Sequence, residues 1–98
     1  MTNRNYSEKA VIDLSTNLQT AYPDHAVVHG VFINTATSNH VCLIKDGTTV
    51  AYRIPANATA GNYYAMHDVR FGTNIVVDPD DSATGEIVIE YQPLGLGT

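Results

Sequence analysis

Cysteine is nearly missing from this chain, charge is sparse and basic residues are few, and each shortage removes a class of function. The single cysteine, Cys42, has no partner for an intramolecular disulfide, and it sits in the apolar run Val41-Cys42-Leu43-Ile44. Such a thiol reads as a small buried core residue, not as a nucleophile. Charged residues make up 15% of the chain against roughly 25% in an average globular domain, while 44% of residues are apolar. That balance predicts a surface partly covered by something other than water, and a partner subunit is the economical candidate. The five basic residues, Arg4, Lys9, Lys45, Arg53 and Arg70, are scattered under a net charge of -5. Nucleic-acid binding needs a concentrated positive footprint and is excluded as an expectation. No apolar run reaches transmembrane length, and the polar start Met1-Thr2-Asn3-Arg4-Asn5-Tyr6-Ser7 holds no signal-peptide core. No membrane partner is expected, and the chain reads as one made and folded in a cytoplasm.

What is present is a strand-and-turn pattern over a length of 98 residues, enough for one core. Residues 1–10 lack a hydrophobic period and read as a polar N-terminal arm, 11–91 as the folded domain and 92–98 as a tail. Ile12, Leu14, Thr16 and Leu18 alternate with Asp13, Ser15 and Asn17, the period of a half-buried strand. A helix competes there, because Tyr6, Ala10, Ile12 and Leu14 do not settle the period. Tyr22-Pro23-Asp24 is a turn, and residues 26–34 and 40–45 are strands apolar on both parities, as in a strand that is central or covered by a partner.

Asp46-Gly47 between two β-rich runs predicts a type I′ hairpin. The returning strand 49–54 then sets Val50, Tyr52 and Ile54 on one face and ends at Pro55. Short β segments follow at 63–66, 69–71, 75–77 and 86–91, separated by turn-forming residues. Seven or eight short strands at this spacing predict an all-β domain, a single antiparallel sandwich that is jelly-roll-like or a partly closed barrel. Such sheets must protect their edges, and subunit association is one way to do so.

A search for chemistry finds no constellation. His25, His29, His40 and His67 lack the spacing of a metal motif, although His29 and His40 would face each other if their strands formed a hairpin. The acidic stretch from Asp78 to Glu86 raises a calcium hypothesis, but Pro79 and Gly85 depart from the EF-hand pattern and a solvated turn is preferred. Ser38-Asn39-His40 is proximity in sequence without a nucleophile elbow. Glu86 and Glu90, four apart on a strand, stand roughly 13 Å apart, too far for a glycosidase pair. No catalytic residue, cofactor or metal ligand is assigned, and the chain is expected not to be an enzyme. The residues that remain are those fitted to packing: Val28, Phe32, Cys42 and Ile44 from the doubly apolar strands, the adjacent Tyr63 and Tyr64, and Leu94 and Leu96 in the tail.

The succession Gly30-Val31-Phe32-Ile33-Asn34, Leu43-Ile44-Lys45-Asp46-Gly47-Thr48-Thr49-Val50, Ile54-Pro55-Ala56, Ala60-Gly61-Asn62-Tyr63-Tyr64, Val69-Arg70-Phe71-Gly72-Thr73-Asn74-Ile75-Val76-Val77-Asp78 and Gly85-Glu86-Ile87-Val88-Ile89-Glu90-Tyr91 resembles small β-sandwich proteins of tailed bacteriophages. These are capsid cement or decoration proteins, particularly of phages infecting cyanobacteria, and the resemblance spans about residues 28–91. It implies a virion structural protein on the capsid exterior, made in the host cytoplasm, that binds the major capsid protein of an assembled head. It also implies self-association, as a homotrimer in first place or a homodimer. The alternatives are a small tail- or baseplate-associated structural protein, or a carbohydrate-binding β-module that stacks sugars on Tyr63 or Tyr64.

Overall fold

The computed structural model describes residues 7–94, so the first six residues of the arm and Leu96 lie outside the described residues. Strands with an apolar residue at every second position have one side to bury, and stacking two antiparallel sheets face to face buries it. The chain does so with β1 (Glu8–Asp13), β2 (Gln19–Tyr22), β3 (Ala26–Thr35), β4 (Cys42–Asp46), β5 (Thr49–Ile54), β6 (Tyr63–Phe71), β7 (Ile75–Pro79) and β8 (Glu86–Pro93). These form two four-stranded sheets in the orders β1-β8-β3-β6 and β2-β7-β4-β5. Strand 1 thus pairs with 8, 2 with 7, 3 with 6 and 4 with 5, a long hairpin wrapped around itself. This is the jelly-roll form of the sandwich. Both sheets keep open edges, so the barrel alternative is set aside.

The core is the space between the sheets. Ile12, Val28, Val31, Ile33, Ile44, Ile54, Phe71, Ile75, Val77, Ile87 and Ile89 are buried there, each worth about 1.5–3 kcal/mol of transfer free energy. Two tilted tyrosine pairs close its flanks: Tyr22 with Tyr91 at 5.0 Å between ring centroids, and Tyr52 with Tyr64 at 6.1 Å.

Several local expectations are corrected by the pairing. The alternation from Ile12 to Leu18 is strand only as far as Asp13, because the Asp13 carboxylate turns the chain by accepting from Ser15 N–H at 2.9 Å. Leu14 remains buried while Leu18 is 56% exposed in the loop, and a short strand, β2, follows before the turn at Tyr22-Pro23-Asp24. The sheet begins at Glu8, inside the stretch read as an arm, and runs through Gln92 and Pro93 of the stretch read as a tail. The segments at 63–66 and 69–71 are one strand interrupted at His67 and Asp68, whose φ values are 55° and 59°. Strands β3 and β4 lie in different sheets, so His29 and His40 do not face each other.

The hairpin at 46–49 also differs in detail. Asp46 pairs with Thr49, leaving Gly47 and Thr48 as the loop, and only Gly47 of this stretch has positive φ, at 62°. Glycine first in a two-residue loop is the type II′ arrangement, not the I′ turn with Asp46 in the bend. Pairing of Lys45 with Val50 and of Ile44 with Tyr52 leaves Ala51 as a bulge, which turns Val50 outward while Tyr52 and Ile54 face the core.

Asp46 is held in the strand by a second task. Its carboxylate accepts from Gly72 N–H at 2.9 Å and Thr73 N–H at 2.8 Å, capping the turn between β6 and β7. Burial pushes its carboxyl up, but the N–H groups of Gly72, Thr73 and Asn74 and the Thr73 side chain outweigh that and hold it below the ordinary value. A depressed folded value gives stability that is present above the unfolded value of about 4 and is lost as pH falls through the folded one. Asp46→Ala should therefore cost about 1–2 kcal/mol in denaturant titration at neutral pH, after allowance for solvent screening. The gap to the wild type should shrink at about pH 3; equal stability at neutral pH would show that the cap contributes nothing.

Candidate functional site

The outward faces of the two sheets differ in arrangement. On the β2-β7-β4-β5 sheet, Leu43 lies between Asp78 and Arg53, and Lys45 makes a 2.6 Å ion pair with Asp78. An open cleft of about 340 Å³ is lined there by Val41, Leu43, Arg53, Asp78, Pro79, Asp80 and Asp81. This face mixes charged with apolar residues, since Lys45 also stands opposite Val76 and Val50.

On the β1-β8-β3-β6 sheet, β8 alternates strictly. Ile87, Ile89 and Tyr91 point into the core, and Glu86, Val88, Glu90 and Gln92 point out. Register then aligns one apolar residue from every strand on the outer face: Val11 is opposite Val88, Val88 opposite Phe32, and Phe32 opposite Tyr63. Val11 is 61% and Tyr63 46% exposed, with Val88 and Phe32 half-buried between them. Cross-strand neighbours of this kind stand about 4.5–5.5 Å apart at Cβ, so the four residues form a continuous apolar row.

The end of this row at Tyr63 is held in place. Gly30, paired with Ala65 in β6 and Glu90 in β8, leaves room for the Tyr63 ring to lie across the sheet. A Cβ on Gly30 would stand 2.3 Å from the Tyr63 hydroxyl oxygen and 2.8 Å from the Tyr64 carbonyl oxygen. Burial raises the Tyr63 phenol above its ordinary value, and the hydrogen bond to Glu90 and the charges of Glu90 and Asp68 raise it further. An acceptor carboxylate beside the ring keeps the hydroxyl protonated as a donor.

The residues singled out from sequence divide between these environments. Val28, Cys42 and Ile44 are 0%, 1% and 0% exposed in the core, so they offer no surface to a partner; the second parity of their strands is carried by other residues. Phe32 and Tyr63 lie on the outward row, while Tyr64 points inward and packs against the core. Leu94 is half-buried, its N–H donating to His25 C=O at 3.1 Å. Leu96 is outside the described residues. Val11 and Val88 were not singled out, although each is an apolar residue on the parity of charged neighbours, Lys9 and Asp13 for one, Glu86 and Glu90 for the other. That mismatch is the signal that marks them.

The remaining polar candidates have local tasks. Ser38 Oγ accepts from Thr84 N–H at 3.1 Å, and His40 Nδ1 is 3.2 Å from Asp80, so the Ser38 hydroxyl closes a loop while the imidazole meets a carboxylate. His29 Nδ1 meets Asp68 at 2.5 Å, opposite the interruption of β6. Among the described residues no group of three or more His, Cys, Asp or Glu is placed to hold a metal ion, the acidic 78–86 loop included. Burial pushes the Cys42 thiol up to about 12, with the Asp78 charge adding to it, which leaves a thiol rather than a thiolate at neutral pH.

Gly30→Ala should displace Tyr63 from the row and destabilise the fold by about 1–3 kcal/mol, as overpacking against backbone does. Tyrosine fluorescence and denaturant titration of the variant check this; unchanged stability with the Tyr63 to Glu90 bond intact would mean that the ring does not need the glycine. No protein-family model, curated protein or solved structure matches the chain.

Proposed function

We propose that this chain is a non-enzymatic structural module that docks on the exterior of a larger protein shell, as a capsid decoration protein does on a phage head. The observation that carries this reading is the row Val11, Val88, Phe32 and Tyr63 across an otherwise open sheet face. On the opposite sheet Lys45 and Asp78 pair with each other, and Asp80 and Asp81 follow in the loop after β7. A jelly roll is a fold shared by viral capsid and lectin domains, which supports the reading only by analogy of fold. The resemblance across residues 28–91 supplies the partner, the major capsid protein of a tailed-phage head.

Magnitudes shape the mode of docking. Four side chains do not fill the roughly 800 Å² per partner of a standard interface. A single contact is therefore weak, and useful occupancy comes from repetition on a symmetric shell, where linked sites multiply affinity without new contacts. Binding to the assembled state would in turn stabilise it by mass action.

A second reading draws on Tyr63, a residue 46% exposed beside Glu90, as an aromatic platform for a sugar. Co-sedimentation with assembled heads separates the two. Purified protein should pellet with heads, Val88→Lys and Phe32→Asp should each weaken this at least about tenfold, and Arg53→Glu on the other sheet should not. Failure to pellet with any candidate head, together with a glycan-array signal abolished by Tyr63→Ala, would favour the carbohydrate reading.

A further inference from the structure

Among the described residues the two sheets have four edge strands, β1, β6, β2 and β5, and three of these are irregular. The edge strand β2 shifts register between Thr20 and Tyr22, β5 carries the Ala51 bulge, and β6 is interrupted at His67 and Asp68. Bulges of this kind blunt an edge against further strand pairing. The fourth edge, β1, has none: Glu8 to Asp13 pair one-for-one with Tyr91 to Glu86.

The parity of β1 is set by its partner. Leu14 N–H donates to Gly85 C=O at 2.9 Å, in line with the register of β1 on β8. Hydrogen-bonded and non-hydrogen-bonded pairs alternate in an antiparallel ladder, so the even-numbered residues of β1 bond to β8. Lys9, Val11 and Asp13 therefore turn their N–H and C=O groups to the open edge. Their side chains stand on the outer face, with Val11 at 61% the most exposed of the large hydrophobic residues. Lys9 has no ion-pair partner among the described residues.

We propose that β1 pairs antiparallel with β1 of a second copy of this chain, about a two-fold axis through Val11. Lys9-Ala10-Val11-Ile12-Asp13 is self-complementary in that register and in no neighbouring one. Val11 meets Val11 of the second copy, and Lys9 meets Asp13 in both directions. Val11 N–H donates to the second Val11 C=O and Asp13 N–H to the second Lys9 C=O, each reciprocally. The Asp13 C=O already accepts from Thr16 Oγ1 and Gln19 Nε2, both at 2.8 Å, so the Lys9 N–H of the second copy, at the end of the ladder, keeps water as its acceptor. A register shorter by four sets Lys9 against Lys9, and one longer by two sets Asp13 against Val11 without a cation. The apolar row then runs unbroken through Val11 across both copies. This two-fold pairing does not depend on what the outer face docks upon, and it selects a dimer over a threefold assembly.

The test is the mass of the full chain in solution and its response to the edge. Sedimentation equilibrium should give twice the 10.6 kDa chain mass at high concentration. Val11→Pro removes an N–H that β8 does not use, so it should yield a folded monomer. Lys9→Asp should raise the dimer dissociation constant at least about tenfold by setting like charges opposite each other twice. Asp13→Lys should do the same, and an equimolar mixture of the two charge variants should return to the dimer mass, which holds even if Val11→Pro fails to fold. A monomer at millimolar concentration, a mass of three chains, or a dimer indifferent to both charge variants would overturn the proposal.

Discussion

Everything in this structure depends on where β8 lies. Strand β8 is paired on one side with β1 and on the other with β3, so it ties the first strand of the chain to the longest. Its alternation then fixes the parity of both neighbours. A slip of one residue would expose Ile87, Ile89 and Tyr91 and bury Glu86 and Glu90, an outcome that burial energetics forbids. Because the core side is thus determined, the outer side is determined too, and Val88 has no choice but to stand between Val11 and Phe32. The core and the candidate docking row are two faces of a single register.

The same logic sets the arrangement of the two outward faces. Strands β4 and β7 place Leu43, Lys45 and Asp78 outward, and Lys45 and Asp78 pair at 2.6 Å. The pair is half-buried, its side chains 21% and 30% exposed, and it neutralises two charges that the surface would otherwise present singly. Both outward faces mix charged and apolar side chains; what sets the β1-β8-β3-β6 face apart is that its apolar residues line up, Val11, Val88, Phe32 and Tyr63 each opposite the next.

The fold class was legible because period-two alternation survives in a single sequence: the burial of Ile87, Ile89 and Tyr91 follows from their spacing alone. The partners were not. Only β4 and β5 are neighbours both along the chain and within a sheet, and every other connection crosses between sheets, so no local signal announces that strand 1 meets strand 8. This is also why Val28, Cys42 and Ile44 misled as interface residues: their strands are apolar on both parities, and sequence cannot say which parity the opposite sheet covers. Phe32 and Tyr63 were legible as aromatics, but Val11 and Val88 became visible only when register set them beside the other two. The exposed residues His67 and Asp68 within β6 gave no signal at all, since positive φ at two consecutive non-glycine residues is a tertiary demand rather than a preference of either side chain.

On the proposed function, the outward row of the β1-β8-β3-β6 sheet is the surface that would meet a shell. Cross-saturation from assembled phage heads to methyl-labelled valines of the bound protein tests it most directly. The account predicts attenuation at Val11 and Val88, with Val41 and Val50 on the other sheet unaffected; attenuation at Val41 and Val50 while Val11 and Val88 stay at full intensity would contradict it.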